Sequence, residues 1–150
     1  MSIEKDINQK KFRNEYQKAI INLIYTYNWV IEKTKDILQR SDITTQQYNI
    51  LRILRGAGEP LSTLQIRQRM LDKMSDSSRI VDRMVKKGLV KKVVSKSDKR
   101  LVDVSIAEKG NILLGDLDKY QDELDGIIKN LTPDEAETLN SLLDKIRHSG

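Results

Sequence analysis

The stretch Lys86–Gly110 changes its hydrophobic pattern twice, and this change most restricts the possible folds. It begins as the end of a helix stopped by Gly88, continues as two β-like runs, Val90–Ser95 and Leu101–Ile106, and leaves as the start of another helix. The segment Lys96–Arg100 between the runs is strongly charged, as at the tip of a hairpin. The sequence therefore predicts a charged β-hairpin inserted between helices.

Three helix starts precede this hairpin. Thr44 is predicted to cap the first helix with Gln47 completing a capping box, and Ser62 and Gln65 repeat the same arrangement for the second. Ser75 is predicted to cap the third. The predicted ends of these helices are near Arg55, Leu71 and Lys87. Two short helices joined by a tight turn make a helix-turn-helix, and the hairpin that follows makes it a winged helix.

Helices flank this central module on both sides. From Phe12 to Leu38 apolar residues recur in steps of three and four without proline or glycine, which predicts a helix of about 40 Å, longer than a small core covers, with part of its apolar stripe packed on another chain. Helical periodicity returns over Asn111–Ile128. Thr132, Pro133 and Glu135 then predict a last helix, to about Arg147. The predicted fold class is mainly α with a small β wing.

Charge is concentrated in the central module. The chain has 27 Lys and Arg against 22 Asp and Glu, a net charge of +5, but Lys73–Arg100 alone holds ten cations and three anions. The rest of the chain is therefore slightly acidic. Such a distribution makes a positive face that attracts a polyanion, with nucleic acid as the commonest partner. The alternative is a solvated, lysine-rich surface.

The predicted helix before the hairpin has two unlike faces. At 100° per residue Val81, Met84 and Val85 share one face, while the opposite face carries polar and cationic side chains that we predict to contact DNA. These are Ser78, Arg79, Arg83 and Lys86. Arginine can bind guanine O6 and N7, lysine and serine can reach phosphate, and the helix N-terminus favours phosphate oxygens. The alternative is an ordinary exposed face with an Arg79–Asp82 or Asp82–Lys86 pair.

The hairpin offers a second DNA contact. Arg100 is predicted to enter a minor groove, which is narrow and electronegative, and Asp98 to orient Arg100 through a salt bridge. Lys99 lies beside them on the tip, and Lys91, Lys92 and Lys96 are predicted to contact phosphates. For Asp98 a turn-forming role is the alternative.

Composition limits the other classes of function. The chain contains no cysteine, which excludes disulfides, thiolate zinc sites and thiol-based peroxide sensing, and its one histidine, His148, lies near the end of the sequence given. We predict no metal site, no cofactor and no enzyme activity, because the candidate serine nucleophiles are better explained as caps and no phosphate-binding glycine loop is present. No apolar run is long enough to span a membrane, and a cytoplasmic protein is expected.

The motifs around the hairpin resemble those of the MarR family of bacterial winged-helix regulators. Gly88-Leu89-Val90, the tip Asp98-Lys99-Arg100 and Glu108-Lys109-Gly110 follow in the order of that family's wing signature. Val81–Met84 and Leu131–Glu135 are also similar to the sequences usual in that family at these positions. Two positions differ: Lys99 stands where the family often has arginine, and the turn Leu71–Met74 lacks a frequent glycine.

The resemblance implies a homodimer that binds a pseudo-palindromic operator as double-stranded DNA, usually as a repressor. It implies one MarR-like domain over residues 1–150, with a winged-helix DNA-binding module at about 42–106 and dimerisation helices at about 8–40 and 107–147. Carried over by position, Ser78, Arg79 and Arg83 fall in the recognition helix, Arg100 in the minor-groove position of the wing and Asp98 in its orienting position.

Many relatives of this type release DNA on binding a small aromatic or phenolic effector. Four side chains are candidates for such a ligand pocket, since an aromatic acid needs flat apolar walls and a cation: Tyr25, Trp29, Tyr48 and Arg52. The alternative is that these aromatic residues belong to the core or the dimer interface. A rival function for the whole chain is a winged helix that docks an acidic protein partner through its basic face.

Overall fold

Eight α-helices and a three-stranded sheet form the part of the chain that the structure, a computed structural model, describes, which is residues 1–148. The helices are α1 (Ile3–Asp6), α2 (Glu15–Leu38), α3 (Thr45–Ala57), α4 (Thr63–Arg69), α5 (Ser77–Lys86), α6 (Glu108–Asp118), α7 (Gln121–Asp125) and α8 (Pro133–Arg147). The strands are β1 (Leu61–Ser62), β2 (Val90–Val94) and β3 (Val102–Ile106). Two 3₁₀ turns, Gln39–Ser41 and Gly126–Ile128, follow α2 and α7. The predicted winged helix-turn-helix with flanking helices is confirmed.

Three of the four predicted caps are confirmed. The Thr44 hydroxyl accepts from the Gln47 amide at 3.1 Å and the Gln47 side chain accepts from the Thr44 amide at 3.2 Å. The boxes that begin α4 and α8 have the same reciprocal bonds. The prediction of Ser75 as the cap of α5 is wrong: the Ser75 amide donates to the Asp72 carbonyl, and Asp76 caps the helix instead. Aspartate caps as well as serine, so the local pattern did not separate the two.

Several helix bounds differ from the prediction because turns and packing act beyond the periodic pattern. Helix α2 begins at Glu15, where the Asn14 side chain accepts from the Gln17 amide, and not at Phe12. The helix predicted over 111–128 is broken: α6 already begins at Glu108, and the chain tightens near Tyr120, whose amide donates to the Leu117 carbonyl. This break lets Tyr120 pack against the core.

The hairpin pairs β2 with β3, from Val90 opposite Ile106 to Val94 opposite Val102. Strand β1, which the sequence did not indicate, adds to the far side of β3 through Leu61 opposite Val104. Two residues are too few for a strand pattern, so only the tertiary fold defines this strand. One face of the sheet covers the core of the winged helix, to which Leu61 and Val104 belong.

The end of α5 and the start of α6 approach each other closely. Gly88 has φ +75°, and the Leu89 amide donates to the Met84 carbonyl at 3.0 Å, as in a Schellman cap. The Leu89 carbonyl in turn accepts from the Ala107 amide at 3.0 Å. A Cβ on Gly110 would lie 2.2 Å from that carbonyl oxygen, so no other residue fits this crossing.

Helices α2 and α8 leave apolar side chains exposed in a single copy of the chain. The exposed residues on α2 are Tyr16, Ile20, Leu23, Ile24, Tyr25, Tyr27 and Trp29, and those on α8 are Leu139, Leu142 and Ile146. No residue of α8 is buried. Within residues 1–148 no helix is both long and apolar enough to cross a bilayer.

The crossing at Gly110 makes a stability prediction. Gly110→Ala should lower the free energy of unfolding by about 1–3 kcal/mol, because backbone must move to admit the methyl group. Gly56→Ala is the matched control: its methyl group meets nothing within 4 Å in α3, and alanine favours a helix by up to about 1 kcal/mol. Urea unfolding of both variants measures the difference, and equal stability of the two would contradict the crossing.

Candidate nucleic-acid interface

The recognition helix α5 turns its apolar face inward and its cationic face to solvent, as predicted. Its buried residues are Ser77, Val81 and Met84. The predicted DNA-contacting residues Ser78, Arg79, Arg83 and Lys86 are all exposed. The spacing of three and four between the buried residues keeps both arginines on the free face. Such a face can enter a DNA major groove.

A carboxylate lies at the N-terminus of this helix, where phosphate oxygens were predicted to bind. Asp76 Oδ1 accepts from the Arg79 amide at 3.2 Å, and Asp76 Oδ2 lies 3.7 Å from Arg79 Nε. The negative charge offsets the attraction of the helix dipole for phosphate. Asp76 therefore weakens the general preference of the helix N-terminus for phosphate, and the predicted phosphate contact there stays a prediction.

A salt bridge connects the recognition helix to the wing. Asp82 Oδ1 accepts from Lys92 Nζ at 2.9 Å. The two pairs that the sequence offered for this residue, Arg79–Asp82 and Asp82–Lys86, do not form. Both were local in sequence, whereas the observed pair depends on strand β2 lying beside α5. Lys92 is thus in a salt bridge with Asp82. Its neighbour Lys91 points to the other face of the sheet and is exposed.

The tip of the wing holds Arg100 in a fork-to-fork contact with Asp98. Arg100 Nε donates to Asp98 Oδ1 at 3.1 Å and Nη2 donates to Oδ2 at 3.0 Å. The hydrogen bonds from Arg100 hold the pKa of the Asp98 carboxyl below its usual value, and the same carboxylate raises the pKa of Arg100. The Arg100 side chain stays 88% exposed. The predicted salt bridge is confirmed, and Lys96 and Lys99 lie exposed on either side of Asp98.

Ser95 organises the tip, and the sequence did not single it out. It is 5% exposed, its amide donates to the Leu101 carbonyl at 3.0 Å, and its hydroxyl lies 3.0 Å from that of Ser97. The Asp98 amide approaches the Ser95 hydroxyl at 3.4 Å. A serine that bonds the amide three residues on is a turn signal, so Ser95 to Asp98 could have been found by that pattern. This network fixes the backbone from which Asp98 positions Arg100.

The four residues predicted for a ligand pocket differ in their surroundings. Tyr48 is buried and its hydroxyl accepts from Gln121 at 3.1 Å, and Arg52 lies 5.7 Å from the Tyr48 ring centre. Tyr25 and Trp29 are each 40% exposed on α2. A cleft of about 690 Å³ lies instead between α2 and the turn before α5, without any of the four in its lining. Its lining includes Tyr27, Ile31, Lys35, Met70 and Lys73.

Comparisons with known proteins agree with this geometry. A family model described as the MarR family matches residues 41–101. The multiple antibiotic resistance protein MarR of Salmonella typhimurium is 30% identical over 127 residues, which cover 83% of this chain and 88% of that protein. The HTH-type transcriptional repressor IacR of Pseudomonas putida is 29% identical over 147 residues, which cover 93% of this chain and 83% of that repressor.

A solved structure is similar over nearly the whole chain. It is a crystal structure of a mutant MarR from Escherichia coli complexed with operator DNA, with a TM-score of 0.81 and 25% identity, covering 91% of this chain and 99% of that one. The likeness includes the winged helix and the helices on both sides of it. On these relationships, the chain belongs to the MarR family of winged-helix transcription regulators.

Proposed function

We propose that this protein is a dimeric, sequence-specific DNA-binding regulator, and not an enzyme, which represses transcription from a pseudo-palindromic operator. The observation that carries the proposal is the pairing of two DNA-reading elements. Helix α5 presents exposed Arg79 and Arg83, the wing presents exposed Arg100, and the Asp82–Lys92 bridge holds the base of the wing against α5. The similar MarR structure bound to operator DNA supports it.

The proposed division of labour follows from the chemistry of each cation. The arginines of α5 can bind guanine with two hydrogen bonds, so they read sequence, and Ser78 and Lys86 contact the backbone or base edges beside them. Arg100 enters the minor groove, with Asp98 and Lys99 at its sides. Lys91, Lys92 and Lys96 contribute attraction to phosphates. Lys92 can do so while it keeps its bond to Asp82, because an ammonium group has three hydrogens to donate.

A small effector has a place to bind in this fold. The cleft between α2 and the turn before α5 has a volume of about 690 Å³, within the range of small-molecule sites. Tyr27, Ile31 and Met70 offer apolar walls, and Lys35 and Lys73 offer cations for a carboxylate or phenolate. We propose this cleft for an aromatic effector, alongside the earlier set of Tyr25, Trp29, Tyr48 and Arg52, which remains a prediction.

The first prediction tests DNA reading. Bound sequences are selected from random DNA with the purified protein, and the affinities for the selected site and for random DNA are then measured against salt. Arg79→Ala and Arg83→Ala should each cost about 1–3 kcal/mol on the selected site and little on random DNA. Lys91→Ala should weaken both alike and reduce the slope of log affinity against log salt by about 0.9.

Lys119→Ala is the control, since this exposed lysine lies at the C-terminal end of α6, outside the recognition helix and the wing. It should change neither the affinity nor the slope. Equal losses on selected and random DNA in all three test variants would contradict the assignment. Binding of an acidic protein, with no salt-dependent binding of DNA, would favour the docking module instead.

The second prediction concerns the wing. Arg100→Ala should weaken protection of the AT-rich flanks of the selected site in a footprint, because a narrow minor groove attracts an inserted arginine. Asp98→Asn keeps the arginine but removes the fork-to-fork contact, so it should retain protection at reduced affinity. A footprint of Arg100→Ala that equals the wild-type footprint would remove the wing from the mechanism.

The third prediction concerns the dimer. The exposed apolar residues of α2 and α8 should be covered by a second copy, so light scattering at micromolar concentration should give the mass of a dimer. Leu142→Glu on α8, at a residue 54% exposed in one copy, should produce monomers. Leu64→Glu on α4, at a residue 63% exposed, is the matched control and should leave the dimer intact. A monomeric wild-type protein would contradict the interface.

A further inference from the structure

Three aspartates around the recognition helix and the wing are each paired with a cation. Asp76 lies 3.7 Å from Arg79, Asp82 lies 2.9 Å from Lys92, and Asp98 lies 3.0 Å from Arg100. A carboxylate on a surface that approaches phosphates weakens the attraction of that surface for any DNA. Each pair must therefore serve something other than general affinity. The Asp82–Lys92 pair joins α5 to the wing, and the Asp98–Arg100 pair orients the wing arginine.

Asp76 makes two contacts with Arg79, one to its backbone and one to its side chain. Its Oδ1 accepts from the backbone amide of Arg79, which begins the helix, and its Oδ2 lies near the side-chain Nε of the same arginine. An N-cap does not need a charge, since serine, threonine and asparagine cap helices as well. The charge of Asp76 adds a favourable interaction with the helix dipole, but it is unfavourable for phosphate contact, and the cation that it reaches is the guanidinium of Arg79.

We propose that Asp76 is a specificity-determining residue that acts through Arg79. This inference rests on the proposed function. The carboxylate restrains the Arg79 side chain at the start of α5 and keeps it from binding phosphates of random DNA. On a matching site the guanidinium meets guanine O6 and N7 in the orientation that Asp76 sets. Asp76 thereby lowers affinity for random DNA and raises the ratio of specific to random binding.

The test variant is Asp76→Asn, which keeps a capping oxygen for the Arg79 amide and removes the charge. Affinity for random DNA should rise, with a slope of log affinity against log salt steeper by about 0.9, because Arg79 is free to neutralise one more phosphate. The ratio of selected-site to random-DNA affinity should fall about tenfold, within the range of one bidentate base contact. The thermal midpoint should fall by no more than about 4 °C, as expected for one charge removed from a helix N-terminus, which separates this effect from loss of folding.

Asp72→Asn is the matched control. Asp72 lies four residues earlier and accepts from the Met74 amide at 2.9 Å, and within residues 1–148 it forms no salt bridge. Removing its charge should raise affinity for both DNAs alike and leave their ratio unchanged. A drop in the ratio equal to that of Asp76→Asn would show a general charge effect and overturn the proposal.

A double variant tests whether Asp76 acts through Arg79. In an Arg79→Ala background, Asp76→Asn should leave the affinity ratio unchanged, because the residue that it positions is gone. A further drop in the ratio there would assign Asp76 a separate contact and overturn the mechanism. If the wild-type protein prefers no DNA sequence, the proposed function itself fails. If it does prefer one and Asp76→Asn keeps the full ratio, the inference about Asp76 fails alone.

Discussion

The close contact between the Leu89 carbonyl and the backbone at Gly110 positions the start of α6 against the turn that ends the recognition helix α5. The oxygen caps the amide of Ala107 at the start of α6, and the missing side chain at 110 lets α6 cross at this distance. Lys109 Nζ donates to the Lys87 carbonyl at 3.0 Å, just past the end of α5. The bond to Ala107 and the crossing at Gly110 both involve backbone atoms, so they set where α6 begins relative to the end of the recognition helix.

Charged pairs in this protein orient groups more than they stabilise the fold. The pairs Arg40–Glu123, Arg55–Asp118 and Asp98–Arg100 all lie at the surface, where an ion pair contributes about 0–1 kcal/mol. Arg40 lies in the turn before α3 and pairs with Glu123 of α7, and Arg55 of α3 pairs with Asp118 of α6. These two pairs orient helices that apolar packing already holds together. The third gives the Arg100 guanidinium two hydrogen bonds while its side chain remains open to solvent, so Arg100 is oriented and still accessible to a further partner.

Local signals predicted most of the fold, and non-local packing accounts for what they missed. The boxes at Thr44, Ser62 and Thr132 and the hairpin depend on residues a few positions apart, so the pattern contains the information. The Asp82–Lys92 bridge, the two-residue strand β1 and the burial of Tyr48 depend on segments far apart in sequence. The Asp98–Arg100 pair was predictable because only one residue separates its members.

The winged helix and the flanking helices obtain their stability in different ways. The winged helix has a core that includes Leu51, Ile66, Val81 and Val104, all at most 1% exposed, and Leu38 of α2 and Leu114 and Leu117 of α6 join it. Helix α8 buries none of its residues in one copy, and only Ile37 and Leu38 at the end of α2 are buried. A second copy must therefore supply the packing that orders α2 and α8. In such a dimer, pairing of the flanking helices also sets the distance between two recognition helices, and with it the spacing of the half-sites that the dimer can bind.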